Sequence, residues 1–248
     1  MKRFLVLLLA ATLSVGPEQK PIIYMIGDST MADRPTPERN PYRGWGQLLS
    51  TFMDDSVMVR NFAVNGRSTK SFIDEGKWAA VVARIRAGDF VLIQFGHNDE
   101  KKEDSTRYTD PNGTFKVNLA RFVRESRARG ATPILFTSIE RRSFDSNGKL
   151  KDTHGAYPQA TRDVARELGV PMVDLQKSTG AMIVAAGLEG SKTLFGYVLP
   201  KTNEMYPDGL TDDTHLSLKG ATEVARLAAL GISTTVPTLG RHVTGVTR

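Results

Sequence analysis

Three sets of residues in this chain combine types and spacings that acyl-transfer chemistry can use. The first is Gly27-Asp28-Ser29-Thr30, which directly follows the apolar run at 22–26. A serine in a strand-to-helix turn can present its hydroxyl to solvent and aim its own N–H at a bound oxyanion. Asp and Ser are also ordinary turn and N-cap residues, so the tetrapeptide alone does not decide between catalysis and structure. Neither G-x-G-x-x-G nor the G-K-[ST] ending of a phosphate loop follows the strand, which argues against nucleotide binding. The second set is Asp212-Asp213-Thr214-His215. An aspartate three residues before a histidine, within one turn, can accept the Nδ1–H and leave Nε2 facing a serine. By this spacing Asp212 is the orienting carboxylate, with Asp213 and Asp208 as alternatives. Asp152-Thr153-His154 repeats the Asp-Thr-His, but Lys151 stands where an orienting carboxylate would be needed. The third set is Asn65-Gly66-Arg67-Ser68-Thr69 with Gly96-His97-Asn98-Asp99. The Gly66 N–H and the Asn98 amide could join the Ser29 N–H as oxyanion donors. Taken singly, an Asn-Gly pair and an Asn after a strand are turn or cap residues; their joint placement after successive strands points to a site.

The elements that must position these residues read as βαβ units. Short apolar runs predict strands at 22–26, 57–62, 90–95, 133–137 and 170–173, alternating with amphipathic segments, the pattern of a parallel sheet. Phe115, Leu119, Phe122 and Val123 form one helical face before Gly130; Tyr157, Ala160, Val164 and Leu168 form another before Gly169. A last helix is expected over 217–230, with Ser217 as its N-cap and Gly231 after its end. Open parallel sheets carry functional residues in loops beyond the carboxyl ends of their strands, which is where Ser29, Gly66 and Asn98 fall.

The chain has 248 residues, 40% of them hydrophobic and 24% charged, the composition of a soluble globular protein. Met1-Lys2-Arg3 followed by about ten apolar residues has the pattern of a secretory signal peptide, too short for a transmembrane span of about 20. The expected organisation is therefore a leader at 1–17, one α/β domain at 18–231 and a weakly patterned C-terminal tail at 232–248. That predicts export, to the medium or a periplasm, and no stable membrane association once the leader is removed. There are no cysteines, which excludes disulfides, a thiol nucleophile and thiolate metal ligands. The formal charge of +6 favours acidic partners. No basic run with interleaved aromatics and no reader motif supports nucleic-acid binding. Four scattered histidines include no H-E-x-x-H or similar spacing, so no metal is expected.

Gly-Asp-Ser-Thr at 27–30, Gly66, Gly-His-Asn-Asp at 96–99 and Asp-x-x-His at 212–215 resemble, in order, the four motif blocks of the SGNH, or GDSL, hydrolases. Within that superfamily the chain is similar to the rhamnogalacturonan acetylesterases, carbohydrate esterase family 12. The similarity extends to Arg43-Gly44-Trp45-Gly46-Gln47, to Arg141-Arg142-Ser143-Phe144 with Asp152-Thr153-His154-Gly155, and to Asp208-Gly209, covering residues 21–230. Thr30 stands where the wider superfamily often has leucine, which fits the acetylesterase branch. The resemblance implies a flavodoxin-like three-layer α/β/α sandwich of about five strands in the order 2-1-3-4-5. It implies Ser29 as nucleophile, His215 as base and then acid, Asp212 as orienter, and Ser29, Gly66 and Asn98 as the oxyanion hole.

The expected function is hydrolysis of O-acetyl esters on a plant polysaccharide, acetylated rhamnogalacturonan first, through an acetyl-serine intermediate and without a cofactor. An acetylxylan esterase or another SGNH ester hydrolase is the alternative enzyme, and a carbohydrate-binding protein without chemistry is the non-enzymatic one. Substrate contacts are expected from Arg43, Trp45, Arg67, His97, Arg141, Arg142 and His154, placed in or near the loops on the catalytic side.

Overall fold

The computed structural model describes residues 19–35 and 38–246, so the expected leader at 1–17 lies outside the described residues. Strands β1 (Ile22–Gly27), β2 (Met58–Asn61), β3 (Phe90–Gln94), β4 (Thr132–Phe136) and β5 (Met172–Val173) form one sheet in the order β2-β1-β3-β4-β5. Every pairing in it is parallel. The expected architecture and strand order are those observed.

Side chains alternate across a strand, and here both faces are buried. Ile23, Met25, Phe90, Leu92, Ile134 and Phe136 point into one core, while Tyr24, Ile26, Val91, Ile93 and Leu135 point into the other. The second core is closed by helices α1 (Thr69–Asp74), α2 (Lys77–Val82), α3 (Thr114–Ala128) and α4 (Tyr157–Leu168). The faces read at Phe115, Leu119, Phe122 and Val123 and at Tyr157, Ala160 and Val164 are the buried ones. The first core is closed by a 3-10 helix (Trp45–Phe52), by α5 (Leu175–Gly190) and by α6 (Leu218–Thr235). Three layers result because a doubly buried sheet needs apolar cover on each side.

Two features depart from the sequence reading. An antiparallel pair, β6 (Phe195–Val198) with β7 (Leu210–Leu216), stands apart from the main sheet and was not expected. The segment at 232–248 is not a loose tail as far as it is described. Helix α6 continues to Thr235, α7 (Pro237–Gly240) follows, and Ile232, Val236 and Leu239 are buried in the core. Gly231 does not end the helix: a Cβ there would lie 2.3 Å from Val173, so glycine lets α6 approach β5.

Candidate active site

Ser29 sits at the apex of a turn made by its own neighbours. The buried Asp28 carboxylate accepts hydrogen bonds from the Thr30 N–H (2.9 Å) and hydroxyl (2.8 Å), reversing the chain as it leaves β1. The amides of Met31 and Ala32 then donate to the Asp28 carbonyl at 3.2 and 3.0 Å. Burial pushes the Asp28 carboxyl up against the two Thr30 hydrogen bonds and the nearby positive groups, which favour its charge. Ser29 Oγ is thereby brought to 2.9 Å from His215 Nε2.

His215 and Asp212 come from the unexpected hairpin. Gly196 pairs with Asp212 and Phe195 with Leu216, so Asp213, Thr214 and His215 bulge out of β7 between two paired positions. Asp212 holds the bulge from within: its Oδ1 accepts the amides of Thr214 (2.7 Å) and His215 (2.9 Å). Its Oδ2 accepts His215 Nδ1 at 2.8 Å and the Tyr42 hydroxyl at 2.9 Å. Burial opposes the Asp212 charge, but the His215 ring and these backbone amides outweigh it and hold the carboxyl well below the ordinary aspartate range. Tyr42 reaches this oxygen because residue 196 is glycine: a Cβ there would lie 2.2 Å from the tyrosine ring. Asp213 is engaged elsewhere, accepting from Arg142 Nη1 at 2.9 Å and from Tyr197. Asp212 is therefore the carboxylate on His215, and the three-residue spacing works inside a strand bulge rather than a simple loop.

The remaining donors lie on the other side of Ser29. The Val64 amide donates to the Gly27 carbonyl at 3.0 Å, tying the loop after β2 to the serine turn. Gly66 adopts φ +74°, a conformation that favours glycine. Among the described residues, neither the Ser29 nor the Gly66 amide N–H donates to the protein. Asn98 is 4% exposed. Its amide is aimed by Arg107 Nη1, which donates to Oδ1 at 3.3 Å, and by the Arg67 carbonyl, which accepts from Nδ2 at 3.2 Å. One Nδ2 hydrogen remains available. Next to it, Asp99 anchors the loop by accepting from the Thr69 amide (3.0 Å) and the Thr109 hydroxyl (2.8 Å), and burial pushes its carboxyl up to about 7. A serine beside an oriented imidazole, with unpartnered N–H groups nearby, can attack a carbonyl carbon and stabilise the oxyanion that results.

The expected substrate contacts fare less well. Trp45 is fully buried and donates its Nε1–H to Gln94 at 2.8 Å; it is a core residue. Arg142 is 7% exposed and, besides Asp213, binds Ser191 Oγ (3.0 Å), the Tyr197 hydroxyl (3.0 Å) and the Leu188 carbonyl (2.6 Å). It clamps β7 from behind. His97 and His154 are also buried, their rings packed edge to face with centroids 4.7 Å apart. Arg43 donates to the carbonyls of Asn40 and Tyr42 in its own loop, Arg67 pairs with Glu75 at 2.9 Å, and Arg141 pairs with Glu100. The residues missed from sequence are Tyr42, Arg34 and Arg107: the Asp212 partner of Tyr42 is remote in the chain, while Arg34 and Arg107 lie near Ser29 and Asn98 in sequence but belong to no motif themselves.

His97, Glu100 and His154 bring potential ligand atoms within 4.8 Å of one another. No sequence spacing announced this cluster, because it is assembled from two loops. His154 already has both ring nitrogens engaged, with Glu100 Oε2 at 3.0 Å and the Ile139 carbonyl at 2.8 Å, and Glu100 also holds Arg141. That arrangement is an ion-paired strut between loops rather than an open metal site. Burial, followed by the neighbouring His154, pushes the His97 ring well below the ordinary histidine range.

Residues 25–222 match the GDSL-like lipase/acylhydrolase family. The chain belongs to that family. It is 46% identical to rhamnogalacturonan acetylesterase RhgT of Bacillus subtilis over 215 residues, covering 86% of this chain and 90% of that one. It is 28% identical to the rhamnogalacturonan acetylesterase of Emericella nidulans, covering 82% and 81% of the two chains. Among solved structures, Bacillus subtilis YxiM superposes with a TM-score of 0.71 at 26% identity, over 86% of this chain and 56% of that one. The acetylxylan esterase Axe2 of Geobacillus stearothermophilus superposes with a TM-score of 0.59 at 15% identity, over 86% and 94%, a likeness of fold. This family member is a carboxylic ester hydrolase.

Proposed function

We propose that this protein removes O-acetyl groups from acetylated rhamnogalacturonan through an acetyl-serine intermediate. Ser29 Oγ attacks the acetyl carbonyl while His215 Nε2 takes its proton, and the imidazolium then protonates the departing sugar oxygen. Asp212 fixes the ring orientation and stabilises its charge; the N–H groups of Ser29 and Gly66 and the Asn98 amide receive the oxyanion. In the second half, water attacks the acetyl-serine with His215 as base, releasing acetate and restoring Ser29. No cofactor enters either half. The observation that carries this reading is the continuous line from Ser29 Oγ to His215 Nε2 (2.9 Å) and from Nδ1 to Asp212 Oδ2 (2.8 Å). The choice of polymer is supported by the resemblance to named rhamnogalacturonan acetylesterases and by a basic net charge, +6 for the whole chain and about +4 without Lys2 and Arg3 of the expected leader. The apolar run after Met1-Lys2-Arg3 supports export.

The mechanism is tested by Ser29→Ala, which should cost several orders of magnitude in kcat in a folded protein, and by fluorophosphonate labelling, which should add mass to the Ser29 peptide. Near-native activity in the variant ends the proposal. The polymer is tested with salt. The screening length falls from about 10 Å at 0.1 M to about 3 Å at 1 M, so kcat/KM on acetylated rhamnogalacturonan should fall while that on p-nitrophenyl acetate stays flat. Faster hydrolysis of acetylated xylan at low salt would move the assignment to xylan.

A further inference from the structure

A galacturonate-containing substrate carries a carboxylate near every acetyl group, and a receptor for it should be a cation beside Ser29 that the fold has not already paired. Arg67, Arg141 and Arg142 each hold a carboxylate of the protein, and Arg43 is tied to two carbonyls of its own loop. Arg34 differs. Its Nη2 donates to the Ser29 carbonyl at 2.9 Å, and its guanidinium carbon lies 5.6 Å from the centre of the Tyr42 ring. Its backbone N–H is held by Gln47 Oε1 at 3.2 Å. Among the described residues it forms no salt bridge, its Nε is buried without a hydrogen-bond partner, and no bond is made by Nη1.

Such a cation is costly to leave unanswered, because half-burial removes solvent without a carboxylate of the described residues in direct contact. Burial accordingly pulls the Arg34 guanidinium below the ordinary arginine value, against the opposing pull of Tyr42 and Asp212. The location is specific. The Tyr42 ring that carries Arg34 also meets the His215 ring edge-on, with centroids 5.4 Å apart, and its hydroxyl binds Asp212. Nucleophile, base and free guanidinium therefore share one wall of the site.

We propose that Arg34 binds a substrate carboxylate and so selects acetylated uronate sugars over neutral ones. An end-on fork from Nη1 and the second Nη2 hydrogen matches the two oxygens of a carboxylate. The inference rests on the pectin reading above but names the residue that enforces it.

The test compares acetylated rhamnogalacturonan oligosaccharides bearing free carboxylates with the same oligosaccharides methyl-esterified. The measured quantity is the ratio of the two kcat/KM values, so a general loss from disturbing the Ser29 carbonyl cancels. The wild-type protein should favour the free acid by about tenfold or more, the scale of a charge-assisted hydrogen bond. Arg34→Gln should bring the ratio close to one, and Arg34→Lys should restore part of it. An unchanged ratio in Arg34→Gln, or a wild-type ratio near one, overturns the proposal. If neither oligosaccharide is cleaved while p-nitrophenyl acetate is, the pectin reading fails separately. Arg34 is then judged by inhibition of p-nitrophenyl acetate hydrolysis by digalacturonate. Inhibition weakened about tenfold in Arg34→Gln, and absent with the dimethyl ester, supports the carboxylate site; no inhibition of the wild type overturns it.

Discussion

Replacing Asp212 by asparagine tests whether this carboxylate, and not its neighbour, sets the state of His215. The asparagine has one acceptor oxygen and one donor NH2 to distribute between the two places the carboxylate oxygens occupy. In the Oδ1 place it must answer two backbone amides, those of Thr214 and His215. Placing NH2 there would leave both amides unpaired, at roughly 1–3 kcal/mol each. The oxygen therefore stays at Oδ1, and NH2 takes the Oδ2 place, where it faces His215 Nδ1 and the Tyr42 hydroxyl. A donor opposite Nδ1 selects the tautomer protonated on Nε2, so the ring turns an N–H towards Ser29 and cannot accept its proton. Loss of the correct tautomer at an equivalent geometry costs about 10⁴-fold in kcat, or roughly 5.5 kcal/mol of barrier. Asp213→Asn keeps an acceptor for Arg142 and Tyr197 and does not touch His215, so it should cost less than about tenfold. The assay is kcat on p-nitrophenyl acetate, with thermal melting to establish that each variant is folded. A folded Asp212→Asn enzyme retaining more than about 1% of kcat, or an Asp213→Asn loss of equal size, would refute this reasoning.

Arg142→Met should lower Tm rather than raise KM. The Asp213 side chain is 44% exposed, so most of the loss comes from the buried bond to Ser191 and the part-buried ones to Leu188 and Tyr197, in all about 2–4 kcal/mol and roughly 5–15 °C. A higher KM on polymer with unchanged Tm would make Arg142 a substrate contact after all. Asn98→Ala should reduce kcat on p-nitrophenyl acetate by roughly 10²–10³ with little change in KM, because an oxyanion donor acts as charge develops; a change confined to KM would place Asn98 in ground-state binding. Asp99 has its folded pKa raised to about 7, so the folded protein holds a proton that the unfolded chain releases above about 4. Its contribution to stability is therefore fullest below that value and declines as pH rises to neutrality, by at most about 4 kcal/mol. Asp99→Asn should shrink the fall in Tm between acid and neutral pH; an undiminished fall would show that Asp99 is not its source.

The doubly buried strands, the faces of α3 and α4 and the serine turn were legible in the sequence because each rests on local order. Alternation along a strand, a helical period and an Asp-Ser-Thr turn involve residues within about one turn of one another. Ser29, Gly66 and Asn98 could be picked out as candidates for the same reason, as short motifs falling after predicted strands, and His215 as a candidate by its Asp-x-x-His spacing. Tertiary structure decided what lay between those segments. The choice of Asp212 over Asp213 depends on a bulge whose register is set by β6 and on Tyr42 passing over Gly196. Helix α6 runs past Gly231 because Val173 leaves no room for a side chain there and Val236 and Leu239 find core to cover. Most of all, the arginines could not be sorted by type or position. A guanidinium reads the same in a sequence whether it clamps a strand, as Arg142 does, or stands beside Ser29 with no carboxylate partner among the described residues, as Arg34 does. The difference lies in which carboxylate folding brings to it from elsewhere in the chain.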